Sequence, residues 1–192
     1  MGTEKLPQEE NLNKIFTIPN VLSFFRLVLI PVLIWSYVIK KNYTATGWIL
    51  LLSGLTDIAD GFIARTFHMI SNLGKILDPV ADKLTQATML FCLFTRFPHM
   101  VWPLGLMAFK ELYMAISGCM VIRKTGKVSG ADWHGKIVTA LLYGMVIVHI
   151  VWSDITVRAS DLMIAICMAM MLLSLTLYFI EHRKALHRCE EK

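Results

Sequence analysis

The chain has 192 residues, of which 56% are hydrophobic, and it carries a formal net charge of +5. This composition is typical of one integral membrane domain. The apolar runs do not alternate with polar residues, which excludes a closed β-barrel. The positive charge requires no nucleic-acid partner, because a basic rim facing anionic membrane lipid accounts for it.

Apolar runs predict six transmembrane helices, since each run is long enough to cross a hydrocarbon layer of about 30 Å. The predicted helices lie near Val21–Ile39, Ala45–Arg65, Val80–Phe97, Met100–Val121, His134–Ser153 and Ser160–Ile180. We therefore expect an all-α, polytopic membrane protein. Its membrane domain would cover residues 19–182, between tails at residues 1–18 and 183–192.

The segment before the first predicted helix has Leu12, Ile15 and Phe16 interleaved with charged residues. This pattern is compatible with a short amphipathic helix on the membrane surface. For residues 1–10, a disordered tail is the alternative.

Lysine and arginine are distributed unequally between the two ends of the predicted helices. The richer side holds Lys5, Lys14, Arg65, Lys75, Arg123, Lys124, Lys127, Arg183, Lys184, Arg188 and Lys192. The poorer side holds Lys40, Lys41, Arg96 and Arg158. Because cytoplasmic loops are enriched in cations, both termini are predicted to be cytoplasmic. The expected location is the cell (inner) membrane, with the functional site facing the cytoplasm.

Four aspartates lie where the second predicted helix ends and the third begins. Asp57 and Asp60 are three residues apart, and Asp78 and Asp82 are four apart, so each pair shares one helix face. The short connection predicts that the two helices are antiparallel neighbours, which would bring all four carboxylates together. An aspartate within a membrane helix costs about 2.5–3.5 kcal/mol on insertion scales, so such a residue is a functional candidate.

Four converging carboxylates repel one another unless they are protonated or bridged by cations. A site made only of oxygen atoms favours a hard ion such as Mg²⁺, Mn²⁺ or Ca²⁺, and two divalent ions would balance four charges. Paired metal ions recur in phosphoryl chemistry. One alternative is that Arg65, Lys75 or Lys83 pairs with the aspartates and merely fixes the helices. Another is a divalent-cation transporter, against which the apolar extracytoplasmic halves of both helices argue.

The stretch from Asp57 to Asp82 resembles the signature of the CDP-alcohol phosphotransferase family, D-x2-D-G-x2-A-R-x8-G-x3-D-x3-D. The chain fits this signature without a gap, through Asp57, Asp60, Gly61, Ala64, Arg65, Gly74, Asp78 and Asp82. The stretch "IPNVLSFFRLVLIP" is also similar to the first helix of the members that use CDP-diacylglycerol. By resemblance, six helices with cytoplasmic termini and a homodimer are expected.

The resemblance also implies roles for these residues. Asp57, Asp60 and Asp78 would hold two divalent cations, Mg²⁺ or Mn²⁺, with Asp82 near the metals and acting as the catalytic base. The residues that would contact the CDP moiety are Asp57, Gly61, Ala64, Arg65 and Gly74. An alcohol would attack the lipid-linked phosphorus of CDP-diacylglycerol, and CMP would leave. A degenerate homologue with a structural role is the remaining alternative.

The acceptor alcohol is less clearly indicated than the donor. The family's phosphatidylglycerophosphate synthases commonly show an Arg-Glu pair, a second Arg seven residues later and a GKxKT motif. Here Lys110, Gly118 and Val138 replace three of those cations. Glycerol 3-phosphate is nevertheless the favoured acceptor, as in the commoner bacterial subfamily. Phosphatidylglycerol, used by cardiolipin synthases, is the alternative, and inositol phosphate and serine follow.

The candidate acceptor-binding residues are Arg26, Lys110, Arg123 and Lys136. Arg26 has two possible interpretations: its side chain extends to the lipid headgroups, or it faces the site and holds a phosphate. His134 is expected at the membrane interface rather than in the chemistry.

Overall fold

The computed structural model describes residues 17–66, 74–125, 133–152 and 154–190. Six α-helices cover most of these residues: α1 Ile18–Ile34, α2 Tyr43–Thr66, α3 Gly74–Phe94, α4 Val101–Thr125, α5 Trp133–Val151 and α6 Val157–Glu190. A π-helical segment, Trp35–Ile39, extends α1, and a 3-10 turn, Pro98–Met100, precedes α4. The described residues contain no β-strand, which confirms the predicted all-α class. Most of the predicted tails, residues 1–16, 191 and 192, lie outside the described residues.

Local sequence signals fix both ends of the first helical segment. Thr17 is the N-cap of α1, and its side chain accepts a hydrogen bond of 3.4 Å from the backbone nitrogen of Asn20. Pro19 lies in the first turn, where its missing N–H removes no helical hydrogen bond. At the other end, Lys41 has a φ of 50°, a left-handed conformation that interrupts the helix before α2.

Within the described ranges, five helical segments are long and apolar enough to cross a membrane, so the protein is an integral membrane protein. They are Ile18–Ile39, Tyr43–Ile63, Pro98–Val121, Trp133–Val151 and Val157–Lys184. Helix α3 has 21 residues, enough for about 31 Å at 1.5 Å per residue. Its first half carries Asp78, Asp82 and Lys83, and this charge lowers its hydropathy below that of the other five. The count of six transmembrane helices therefore stays a prediction.

The helices form two compact units, divided between Cys92 and Leu93. In the first unit, α1 packs along α2, and the buried apolar side chains include Leu33 and Leu50. In the second unit, α6 packs against both α4 and α5, with Leu142 and Met171 fully buried. Large apolar side chains also cover the outside of both units, as lipid contact requires.

Candidate functional site around Arg26

The centre of the candidate site is an arginine on the first transmembrane helix. Arg26 is 1% exposed, and its two terminal nitrogens donate hydrogen bonds to different carboxylates. One nitrogen binds Oδ1 of Asp57 and the other binds Oδ2 of Asp60, both on α2. The prediction that these two aspartates share one helix face is therefore confirmed. Charge-assisted hydrogen bonds of this kind are about twice as strong as neutral ones.

The third aspartate is also held from α1. Ser23 lies one turn before Arg26 and donates a hydrogen bond to Oδ1 of Asp78 on α3. In the described part of this unit, α1 packs closely along α2. The expected antiparallel packing of the second and third helices stays a prediction. Among the described residues, Asp57, Asp60 and Asp78 are brought together by their contacts with α1.

Asp82 completes the acidic cluster, by which we mean Asp57, Asp60, Asp78 and Asp82. Its Oδ2 accepts a hydrogen bond of 2.9 Å from Nε2 of Gln86 and lies 4.0 Å from Nζ of Lys83. Asp57 is close enough to interact electrostatically with both Asp78 and Asp82. The Asp60 carboxylate likewise interacts with those of Asp57 and Asp78. Among the side chains that the structure describes here, one buried guanidinium and Lys83 accompany four carboxylates, so negative charge is in excess in this described set.

Access to the acidic cluster differs among its members. The side chain of Asp60 is 4% exposed, whereas those of Asp57 and Asp82 are 47% and 22% exposed. A ligand can therefore reach the cluster from the side of Asp57 and Asp82. Gly61 lies one turn after Asp57 on α2, and a Cβ atom built on it would meet no described neighbour within 4 Å.

The donor chemistry of the acidic cluster fits a hard divalent ion, because every ligand atom would be a carboxylate oxygen. In the residues that the structure describes, however, no three acidic, histidine or cysteine side chains are arranged to hold a metal. The guanidinium of Arg26 instead contacts the two carboxylates of α2. The pairing of aspartate with a basic residue, weighed from the sequence as an alternative, is thus present: Arg26 pairs with Asp57 and Asp60, and Lys83 lies 4.0 Å from Asp82.

The other predicted nucleotide-binding residues are only partly described. Gly74 is the first residue of α3 and is buried. Ala64 and Arg65 belong to α2, but their side chains lie outside the described residues, as does the side chain of Lys75.

The predicted acceptor-binding lysines and arginine of the second unit have different surroundings. Lys110 is 6% exposed, and its Nζ lies 2.8 Å from Oε1 of Glu111, so a carboxylate already balances its charge. Arg123, near the end of α4, and Lys136, in the first turn of α5, are both exposed. A Cβ atom on Gly118 would meet no described neighbour within 4 Å.

Gly135, the first residue of the GKxKT-like stretch, and the preceding His134 both pack against α6. A Cβ atom on Gly135 would lie 2.7 Å from Oη of Tyr178, so the glycine lets α6 approach α5. Next to it, His134 is 1% exposed, and its Nδ1 lies 2.9 Å from Oγ of Ser174. A hydroxyl on α6 thus allows His134 to be buried within the protein, and its position at the membrane interface stays a prediction.

Sequence reasoning missed three parts of the site: the hydrogen bonds of Ser23 and Gln86, and the pairing of Arg26 with two aspartates. A usable signal existed, because Ser23 and Arg26 are three residues apart and thus share a face of α1. A basic residue inside an apolar run usually faces the protein interior and pairs there.

Comparison with known proteins agrees with the signature. The model of the CDP-alcohol phosphatidyltransferase family matches residues 16–180, which include every described helix except the end of α6. The chain belongs to the CDP-alcohol phosphatidyltransferase family.

Its curated relatives carry two kinds of name. A cardiolipin synthase (CMP-forming) of Streptomyces coelicolor is 35% identical over 121 residues, which are 59% of this chain and 55% of the relative. A cardiolipin synthase and hydrolase fusion protein of Schizosaccharomyces pombe is 42% identical over 91 residues, 47% of this chain and 14% of the relative. The CDP-diacylglycerol-glycerol-3-phosphate 3-phosphatidyltransferase 1 of Arabidopsis thaliana is 32% identical over 133 residues, 67% of this chain and 45% of the relative. The matches thus cover at most about half of each relative's length.

Proposed function

We propose that this protein transfers a phosphatidyl group from CDP-diacylglycerol to a glycerol-based alcohol and releases CMP. The observation that carries the proposal is that the four signature aspartates lie close together, three of them in contact with α1. Membership of the family supports the reaction class. The proposed donor is amphiphilic, which agrees with a site built on membrane-spanning helices.

We place two divalent cations, Mg²⁺ or Mn²⁺, on Asp57, Asp60 and Asp78, with Asp82 next to them. When bound, these ions would neutralise the pyrophosphate of the donor and lower the barrier to its cleavage. The bond changes are those of a substitution at phosphorus. The acceptor oxygen bonds to the phosphorus that carries diacylglycerol, and the bond from that phosphorus to the CMP oxygen breaks.

Asp82 is the proposed general base. Its side chain is partly exposed, so an acceptor hydroxyl can reach it, and it takes the hydroxyl proton as the new bond forms. The amide of Gln86, one turn later on α3, orients this carboxylate through its hydrogen bond. The open space at Gly61 admits the CDP moiety, and the backbone of α2 lies close to it there.

Two acceptors remain candidates, glycerol 3-phosphate and phosphatidylglycerol. Glycerol 3-phosphate carries a phosphate monoester, which needs more cationic partners than the diester of phosphatidylglycerol. Gly118 and Val138 remove two of those cations, and Glu111 balances the charge of Lys110. These contacts favour phosphatidylglycerol, and Arg26, Arg123 and Lys136 remain the candidates for holding its phosphate. Cardiolipin synthases are also among the relatives.

The orientation of the site follows from the same proposal. Cytidine nucleotides are made in the cytosol, and the cation-rich side of the helices holds both termini and the acidic cluster. We therefore propose that the site opens to the cytoplasm at the cell (inner) membrane. A homodimer remains the expectation for its assembly.

The test is an acceptor screen with purified protein in lipid-detergent micelles. CDP-diacylglycerol and Mg²⁺ or Mn²⁺ are supplied with glycerol 3-phosphate, phosphatidylglycerol, inositol phosphate or serine, one at a time, and CMP and lipid products are followed. Release of CMP with phosphatidylglycerol, together with cardiolipin as product, is the expected result. Failure to release CMP with every acceptor would refute the proposal. Flux of Mn²⁺ into proteoliposomes without nucleotide would instead support a transporter.

A further inference from the structure

Arg26 and a divalent cation would compete for the same two carboxylate groups. The two terminal nitrogens of Arg26 contact Oδ1 of Asp57 and Oδ2 of Asp60, and both carboxylates are proposed metal ligands. Mg²⁺ binds its oxygen ligands at about 2.0–2.1 Å and accepts little departure from octahedral geometry. A guanidinium on these carboxylates takes up one oxygen of each and repels the incoming ion.

The position of Arg26 is also incompletely bonded. Its Nε is buried and has no hydrogen-bond partner among the described residues. Buried donors are normally paired, and an unpaired one costs about 1–3 kcal/mol. The contact with the two aspartates thus leaves one donor of Arg26 unused, which lowers the cost of moving the side chain away from them.

We propose that Arg26 is an internal counter-cation, which holds the acidic cluster together without metal and which the first divalent ion must displace from Asp57 and Asp60. This inference rests on the proposed function, because it takes its metal ligands from there. Arg26 is then a positioning residue: it keeps the carboxylates of α2 on one face, and it sets the metal concentration at which the site fills.

The proposal predicts the sign of the change in metal affinity when Arg26 is removed, and this sign distinguishes it from a supporting role of Arg26. A protein whose competent state is only a fraction of the population binds with an apparent Kd raised by the inverse of that fraction. If Arg26 occupies the carboxylates in about nine molecules of ten, its removal lowers the apparent Kd for the metal about tenfold. If Arg26 supported a metal-binding arrangement, its removal would raise that Kd.

The experiment measures Mn²⁺ binding to purified full-length protein in detergent, by electron paramagnetic resonance of the free ion, without any nucleotide. The variants are Arg26→Gln and Arg26→Lys, and Arg158→Gln is the matched control on an exposed arginine of α6. The apparent Kd should fall about tenfold in Arg26→Gln and by less in Arg26→Lys, because one ammonium cannot bridge two carboxylates as a fork does. Arg158→Gln should bind Mn²⁺ like the parent protein.

A second measurement covers the case in which Arg26→Gln folds poorly. The rise in melting temperature between EDTA and Mn²⁺ should be larger in Arg26→Lys than in the parent protein, since tighter binding stabilises the folded state more. Equal or weaker Mn²⁺ binding in the Arg26 variants would overturn the proposal, as would an equal rise in melting temperature. Tighter Mn²⁺ binding without CMP release by the parent protein would uphold the competition and refute only the phosphatidyltransferase.

Discussion

The two units of this protein bury polar side chains in different ways. The first unit buries charge, with one guanidinium surrounded by the acidic cluster. The second unit mainly pairs buried histidines with uncharged serines. Their nitrogen-to-oxygen distances are 2.9 Å for His134 with Ser174, 2.9 Å for His149 with Ser160 and 2.7 Å for His182 with Ser117. Polarity within membrane helices therefore has two forms here.

His149 shows why a histidine–serine pair can satisfy its hydrogen bonds without a ligand. Its Nδ1 lies 2.8 Å from the carbonyl oxygen of Met145, which can only accept, so Nδ1 carries the proton. Its Nε2 can then accept a hydrogen bond from the hydroxyl of Ser160. Both ring nitrogens can therefore be satisfied without charge, and the pair fastens α5 to α6.

The acidic cluster cannot be completed in this way. Arg26 offers one positive charge to four carboxylates, and Lys83 approaches Asp82 only to 4.0 Å. Beyond these described side chains, further cations are needed before all four carboxylates can be ionised. The comparison teaches that excess charge, rather than a polar residue as such, marks a functional site within these helices. Substitutions of the same chemistry should therefore act differently in the two units.

The largest difference is expected for aspartate-to-asparagine substitutions. Asp82→Asn removes the proposed base and should lower the rate of CMP release by about 10²–10⁴-fold, the usual contribution of general base catalysis. The matched control is Asp161→Asn in the second unit, whose partly exposed carboxylate lies 2.5 Å from Nδ1 of His99. That control should keep nearly full activity. Comparable losses in both variants would contradict the assignment of Asp82.

A glycine substitution tests the space beside the acidic cluster. Because a Cβ atom on Gly61 meets no described neighbour, Gly61→Leu should fold normally but collide with the CDP moiety. We expect its kcat/KM for CDP-diacylglycerol to fall about 100-fold, because displacing a substrate by about 1 Å from its reactive position costs about that much. Gly54→Leu, seven residues earlier on α2 and equally open, is the control. Unchanged kinetics in Gly61→Leu would place the nucleotide elsewhere.

The sequence allowed the meeting of the four aspartates to be predicted, because they lie within one short stretch of the signature. It did not allow the partner of Asp57 and Asp60 to be predicted. Arg26 lies 31 and 34 residues away from them, and only the packing of α1 on α2 decides that they meet. The buried histidines were missed for the same reason, since the serine paired with His134 is 40 residues away.

Helix boundaries show a second limit. Hydropathy placed the start of the third helix at Val80, whereas α3 begins at Gly74. The first turns of α3 carry charged residues of the site. Their hydropathy is therefore too low to indicate a transmembrane helix, although they are helical. The last helix likewise continues from the predicted Ile180 to Glu190, because a helix does not end where its apolar surface ends.

A smaller effect is expected at the acceptor residues of the second unit. Gly118 has room for a side chain, and Gly118→Arg would restore a cation typical of phosphatidylglycerophosphate synthases. We expect the ratio of kcat/KM for glycerol 3-phosphate over phosphatidylglycerol to rise about tenfold, since a hydrogen bond to a charged group contributes about 1.5–3 kcal/mol. Gly118→Gln, of similar length but without charge, should leave the ratio unchanged. A rise of the same size with glutamine would show that charge is not the cause.

The smallest effect is expected for the same serine-to-alanine change made in each unit. Ser160→Ala removes the hydrogen bond to His149, and Ser23→Ala removes the one to Asp78. Hydrogen bonds between membrane helices contribute about 0.6 kcal/mol on average, so both variants should melt only slightly earlier.

Activity per folded molecule should separate these two variants. Ser160→Ala should retain it, because that serine only fastens α5 to α6. Ser23→Ala should lose part of it and need more Mn²⁺ for half-maximal rate, because Asp78 is no longer held towards the other carboxylates. The measurements are melting curves and Mn²⁺ titrations of CMP release. If Ser160→Ala shifted the Mn²⁺ dependence as much as Ser23→Ala did, the histidine–serine pairs of the second unit could not be purely structural. The distinction between the two units would then be wrong.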